Sequence, residues 1–291
     1  MHEQTALITG PARGIGAELA RRLARRGMRL ALVGLEPAKL AELAKELGAG
    51  HIWAECDVTD HASLNAAVKL SIDALGGLDV VVANAGIASH GTVLSTPVEA
   101  LVRVIHVNLI GVIRTVKATL PHVVASKGYY LLISSASALA TSPGLTTYAA
   151  SKIGVEHFGN GLRVELASHG VRVGCANLSW IDTDLVRDAH ADMRSFTGML
   201  SKLPGPFSRI RTLDECATVL ADAIEKRKRR VFVPKSLGPI AAVRQFFMSP
   251  LAEAYLARKA SRILPQMEQE VTALGRSFGE HSAEQRTRSA S

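Results

Sequence analysis

The stretch TTYAASK places Tyr148 and Lys152 four residues apart. On a helix, that spacing brings both side chains to one face, a turn from each other. An ammonium beside a phenol favours the phenolate and lowers the tyrosine pKa. A phenol tuned in this way exchanges a proton near neutral pH. A second candidate is TGPARGIG near the N-terminus, where Gly10, Gly14 and Gly16 lead out of an apolar run into a helical one. Without side chains the backbone turns tightly and approaches a pyrophosphate, whose charge suits a helix N-terminus. The spacing is neither G-x-G-x-x-G nor a Walker loop, which needs Gly-Lys-Ser/Thr. The histidines show no H-E-x-x-H or comparable ligand spacing, so no metal is expected. The absence of G-x-S-x-G disfavours a serine hydrolase.

These residues need elements to position them. Short apolar runs alternate with helical ones: TALIT, RLALV, HIWAEC, LDVVVANAG, YYLLIS, VRVGCA and RRVFVP read as seven strands. The intervening stretches read as helices, including 15–26, 37–47, 61–75, 97–119, 148–167 and 212–225. The strands are apolar throughout rather than alternating, as in a sheet buried on both faces. The expectation is an α/β fold, a Rossmann-type doubly wound parallel sheet. Residues 1–235 form one domain, 236–275 a helical C-terminal extension, and 276–291 a disordered tail.

TGxxxGIG, then NAG (Asn84, Ala85, Gly86), then YxxSK (Tyr148 to Lys152), in this order, resembles the short-chain dehydrogenase/reductase family. The resemblance covers roughly residues 4–235. It implies an NAD(P)(H)-dependent oxidoreductase that interconverts a secondary alcohol and a ketone. Position by position, it implies that Gly10, Arg13, Gly14, Ile15 and Gly16 line the phosphates, and that Asp57 and Val58 flank the adenine. Asn84, Ala85 and Gly86 would support the adenosine ribose side. Ser135, thirteen residues before Tyr148, matches the family's catalytic serine, with Ser134 structural; Asn108 matches the asparagine that holds a water beside the lysine. Tyr148 would be the acid/base, Lys152 would lower its pKa and bind the nicotinamide ribose, and Ser135 would hold the substrate oxygen. The alternative is a nucleotide-sensing or scaffold protein that kept the fold and lost turnover.

Two positions depart from the family pattern. An acidic residue at the end of the second strand favours NAD; here that position is Gly34, and Glu36 comes two residues later. Arg13 offers a fork to a 2′-phosphate, so NADP(H) is favoured, with NAD(H) the alternative. After the sixth strand Leu178 and Ser179 replace the usual Pro-Gly, which should loosen the turn. Ile181 and Thr183 would still meet the nicotinamide carboxamide. Residues 185–206 fall where the family carries its substrate lid, with glycine and proline at its end for motion. Met193, Phe196 and Met199 would make an apolar wall there, bordered by Trp180 and His90, and adaptable methionines suit a lipophilic ligand.

The chain of 291 residues is 47% apolar, with a net charge of +8. Its basic runs, RRLARRGMR and KRKRR, lack an aromatic or zinc-finger accompaniment, so they read as solvated faces rather than a specific nucleic-acid site. Cys56, Cys175 and Cys216 sit far apart in apolar segments and read as buried free thiols. With no signal peptide and no long apolar span, the cytoplasm is the natural compartment. The stripe Val243, Phe246, Phe247, Leu251, Tyr255 and Leu256 is expected to pack on the domain or a dimer mate, with cleft cover and peripheral membrane contact as other uses. The family habit of pairing through helices implies a homodimer or homotetramer.

Overall fold

The structure, a computed structural model, describes residues 3–140, 142–201 and 208–280. Seven strands, β1 (Thr5–Thr9), β2 (Arg29–Gly34), β3 (Ile52–Glu55), β4 (Val80–Ala83), β5 (Tyr129–Ser135), β6 (Arg172–Leu178) and β7 (Arg230–Val233), form one sheet. The order is β3-β2-β1-β4-β5-β6-β7 and every pair is parallel. Leu7 lies between Ala31 and Val81, so the strand order reverses across β1 and β4. In such sheets the crevice at this reversal, beyond the strands' carboxyl ends, takes the ligand.

Helices α1 (Gly14–Arg25), α2 (Pro37–Leu47), α3 (His61–Leu75), α4 (Val98–Ile105), α5 (Gly111–Ala125), α6 (Thr146–Glu165), α7 (Asp184–Asp192), α8 (Arg194–Ser201) and α9 (Leu213–Glu225) follow in chain order. Leu19, Leu40 and Leu220 from α1, α2 and α9 share one core with Ile8 and Leu32. Leu64, Val116 and Leu162 from α3, α5 and α6 share the other with Leu7 and Val81. Burial on both faces is what the uninterrupted apolar strands demand; each such side chain contributes about 1.5–3 kcal/mol. The basic face of α1 is largely ion-paired: Arg21 with Glu46, Arg22 with Asp214, and Arg26 with Asp222.

The expected single helix over 97–119 is interrupted. A π-turn, His106–Ile110, separates α4 from α5 and carries Asn108. A π-turn inserts a residue into the helical ladder and often marks a functional position. The helix also runs on to Ala125, accommodating Pro121.

The C-terminal extension comprises α10 (Leu237–Ala242), α11 (Arg244–Phe247), α12 (Pro250–Ala260) and α13 (Leu264–Leu274). Met267 and Val271 of α13 pack on Phe196 and Leu200 of α8. One sequence expectation needs correction. Residues 276–280 are not a disordered tail: Phe278 is buried with Ile87 and Val104, Arg276 reaches Asp192 at 2.7 Å, and Ser277 O accepts from His90 N. Phe278, Arg276 and the Ser277 carbonyl hold that otherwise polar segment; residues 281–291 lie outside the described ones. Within the single chain, Val243, Phe246, Leu251 and Tyr255 of the apolar stripe are exposed.

The extension is tied back by Glu156, buried in α6, which accepts from Arg244 Nη1 at 2.9 Å and Asn177 Nδ2 at 3.1 Å. Removing one partner of a buried charged bond strands the other. Glu156→Ala is expected to destabilise the protein by about 2 kcal/mol in urea unfolding and to speed amide exchange across 244–260. Unchanged exchange there would show that the tie is not Glu156.

Candidate active site

The glycine loop after β1 and the turn after β4 interlock. Gly10 has φ +65°, and a Cβ there would stand 2.9 Å from Ala85 Cα. A Cβ on Gly16 would stand 2.6 Å from Asn84 Nδ2. Bare backbone therefore lets Asn84 donate to Thr9 O and Gly10 O, both at 3.0 Å. No side chain caps the N-terminus of α1. Its first-turn N–H groups are suited to an anion.

Beside this loop, Arg13 donates through Nε to Glu36 Oε2 at 2.9 Å and through Nη2 to Glu36 Oε1. Its Nη1 is buried without a hydrogen bond, 3.6 Å from Asp184. Lys39 adds a second cation at 3.1 Å from Glu36. Burial pushes the Glu36 carboxyl up, but the bonds to Arg13 and Lys39 outweigh it and hold its pKa below the usual value.

At the other end, Lys152 is buried; its Nζ donates to Ile133 O at 3.0 Å and lies 5.6 Å from the Tyr148 ring centre. Burial pulls its pKa down to about 8. Tyr148 differs from the sequence expectation. Burial raises its pKa, with a hydrogen bond to Ser135 pulling the other way. Desolvation of the phenolate is the larger of these two effects. Ser134 is structural, as expected, because its Oγ donates to Lys152 O at 2.9 Å and locks α6 to β5.

Asn108 ties three elements together. Its Oδ1 accepts from Ile87 N at 2.8 Å, while Nδ2 donates to Ile87 O at 2.9 Å and Ser151 Oγ at 3.0 Å. The turn after β6 is held despite the missing proline. Ser179 N donates to Val233 O and Asp182 N to Arg211 O, each at 2.8 Å, so β7 and the segment before α9 hold the turn. Asp57 Oδ1 accepts from Thr59 N and Oγ1, fixing the loop after β3.

With the exception of Asn108, every candidate site residue named from the sequence lines one cavity of about 1050 Å³. That set runs from Gly10, Gly34, Asp57 and Val58 through Gly86, Ser135, Tyr148 and Lys152 to Ile181 and Thr183. His90, Trp180, Met193, Phe196 and Met199 lie on the same cavity. His90 is buried, with Nε2 3.7 Å from Asp192; burial is the main cause that lowers its pKa. Of the expected lid, residues 202–207, with the prolines of its hinge, lie outside the described ones. The sequence reading did not anticipate Arg103, Ser137, Ser142 and Leu145 on the cavity wall. Ser137, two residues after Ser135, lies in a short 3-10 turn that follows β5.

The family model for short chain dehydrogenases matches residues 4–194. A short-chain type dehydrogenase/reductase of Mycolicibacterium smegmatis is 36% identical over 222 residues, covering 70% of this chain and 79% of its own. The cis-4-hydroxycyclohexanecarboxylate dehydrogenase of Sinomonas cyclohexanicum is 34% identical over 224 residues, covering 75% and 88%. Among solved structures, an alcohol dehydrogenase of Thermococcus sibiricus complexed with 5-hydroxy-NADP superposes with a TM-score of 0.67 at 29% identity, covering 79% and 94%. The chain belongs to the short-chain dehydrogenase/reductase family and is an oxidoreductase of that family, served by a nicotinamide cofactor. No helix among the described residues is long and apolar enough to cross a membrane.

Burying the Lys152 amine has a stability signature. Its folded pKa, about 8, lies below the ordinary lysine value of 10.5. Below pH 8 the fold carries the full cost of a desolvated ammonium; stability then rises with pH until the unfolded chain also loses its proton. Lys152→Met removes that cost and is expected to stabilise the protein at pH 7 by on the order of 1–3 kcal/mol. The gain should shrink as pH climbs from about 8 towards 10.5, which thermal melts across that range would check.

Proposed function

We propose that the protein interconverts a lipophilic secondary alcohol and its ketone, with Tyr148 as the acid/base. The observation that carries this reading is the convergence of Tyr148, Ser135 and Lys152 with the bare glycine loop on one cavity. A bound nicotinamide dinucleotide supplies or accepts the hydride. For alcohol oxidation Tyr148 would take the hydroxyl proton from the substrate oxygen, and for ketone reduction it would return one to it. Ser135, which lines the same cavity as Tyr148, would hold the same oxygen. Donors already aimed at that oxygen stabilise the charge that builds on it. Lys152, protonated, favours the phenolate and offers Nζ to the ribose. Asn108 positions the lysine's surroundings through Ile87 and Ser151. Gly10 to Gly16, with the N-terminus of α1, would hold the pyrophosphate. Asp57 and Val58 would flank the adenine, and Ile181 and Thr183 the carboxamide.

The sequence leaned to NADP(H) on the strength of Arg13 and the missing carboxylate at Gly34. The Arg13–Glu36 pair supports NAD(H) instead. A 2′-phosphate would meet a guanidinium already clasped by Glu36 and faced by Asp184, whereas ribose hydroxyls would find a carboxylate acceptor. Names of relatives fit an alcohol substrate: one acts on a hydroxycyclohexanecarboxylate, another, from Lavandula x intermedia and 29% identical, on borneol. Action in the cytoplasm as a homodimer or homotetramer belongs to the same reading, and the exposed Val102 and Val164 on α4 and α6 suit such pairing.

Tyr148→Phe is expected to cut turnover on a ketone and alcohol panel by at least about 100-fold, with dinucleotide affinity within about twofold of wild type. Equal turnover would favour the silent nucleotide sensor. Glu36→Gln frees Arg13 and is expected to shift the NADH-to-NADPH affinity ratio toward NADPH by about tenfold, measured by fluorescence titration. An unchanged ratio would exclude the pair as the selector.

A further inference from the structure

The cavity does not end at Tyr148. It continues under the C-terminal extension, where Phe246, Leu251, Tyr255, Leu256 and Ile263 line it. Yet no residue of 242–262 is buried, and Leu251 and Tyr255 are 80% and 59% exposed. A leucine and a tyrosine that line a cleft and stay this exposed form an apolar surface of the kind that takes a ligand or a partner.

Charge around the cavity is divided between its ends. The acidic lining residues, Glu36, Asp57 and Asp184, sit with the glycine loop and the loop after β3. There they are engaged by Arg13, Thr59 and Arg187. The basic lining residues outside that end are Arg103, Lys152, Lys259 and Arg262. Lys152 is bonded to Ile133 O. Among the described residues, Arg103, Lys259 and Arg262 have no carboxylate partner, and Lys259 rests on the Tyr255 ring at 4.5 Å. The C-terminal end of a helix favours basic residues for its dipole alone. That accounts for Arg258, which does not line the cavity; Lys259 and Arg262 do.

We propose that the substrate is an amphiphilic anion, an alcohol or ketone on an apolar body whose carboxylate or phosphate is met by Lys259 and Arg262 at the mouth. The apolar body lies along Phe246, Leu251, Tyr255 and Leu256, completing the contacts that α11 and α12 lack. The inference rests on the dehydrogenase reading for the identity of the reacting group, but not for the binding. Long-stemmed cations pair with an anion while their methylenes cover apolar surface.

The test is equilibrium binding of octanoate and the neutral octanamide, well below micelle-forming concentrations, to the full chain saturated with NAD⁺ at low salt. Quenching of Trp180, which lines the cavity, is the readout, in a Trp53→Phe background that removes the other tryptophan. Octanoate is expected to bind about tenfold tighter than octanamide, a difference of about 1.4 kcal/mol, and the preference should fall with salt. Lys259→Gln/Arg262→Gln is expected to bring the two ligands within about twofold, and Tyr148→Phe to leave the preference intact. Equal affinities in the otherwise wild-type protein would overturn the proposal. So would a preference that survives in the double variant, or binding to anionic phosphatidylglycerol vesicles with none to monomeric octanoate. Neither ligand turns over, so this binding can hold or fail independently of the dehydrogenase assay.

Discussion

A lysine amine enclosed by protein is the constraint around which this site is organised. Lys152 finds one backbone carbonyl, Ile133 O, at the carboxyl end of β5. Everything that keeps it there is local and specific. Ser134 fastens the lysine's own carbonyl to the strand, and Asn108 spans from the turn after β4 to Ser151 on α6. Desolvation of this kind opposes the charged state. A fold selected for stability alone would put methionine there. The amine's persistence at a sheet edge, facing Tyr148 across 5.6 Å, is a local conflict of the sort found where chemistry is done.

The rest of the architecture brings a second, remote piece to the same edge. β1 and β4 diverge at the strand-order reversal, and the glycine loop and the Asn84–Gly86 turn close on each other with less than a methyl group to spare. The crevice they open continues past β5 and β6 to Tyr148, so an extended dinucleotide can reach from the α1 N-terminus to the phenol. The extension adds a third wall. It is held by polar ties, Glu156 to Arg244, Glu268 to Thr92 and Arg276 to Asp192, rather than by a core of its own along α12.

Much of this could be read from the chain. All seven strands were legible because burial on both faces leaves unbroken apolar runs such as VVVA and YYLLIS. The candidate site residues could be named because glycine, tyrosine and lysine at fixed spacings carry geometry with them. What escaped depended on contacts between distant residues. The π-turn at Asn108 follows from bonds to Ile87 and Ser151, and no local propensity signals it. Tyr148's raised pKa reflects the protein around it, which the i, i+4 spacing cannot report. Whether Arg13 is free or clasped depends on how Glu36 turns back from the start of α2. Phe278 and Arg276 anchor a segment whose composition reads as disordered.

The account stands on Tyr148 meeting a reactive oxygen beside a nicotinamide ring bound over Lys152. A crystal structure of the dinucleotide complex tests this most directly. The account predicts the pyrophosphate on the Gly10–Gly16 loop, the ring's reactive carbon within about 4 Å of the Tyr148 hydroxyl, and Lys152 Nζ on the ribose hydroxyls. A dinucleotide whose ring lies away from Tyr148, or whose ribose leaves Lys152 bonded only to Ile133 O, would contradict it.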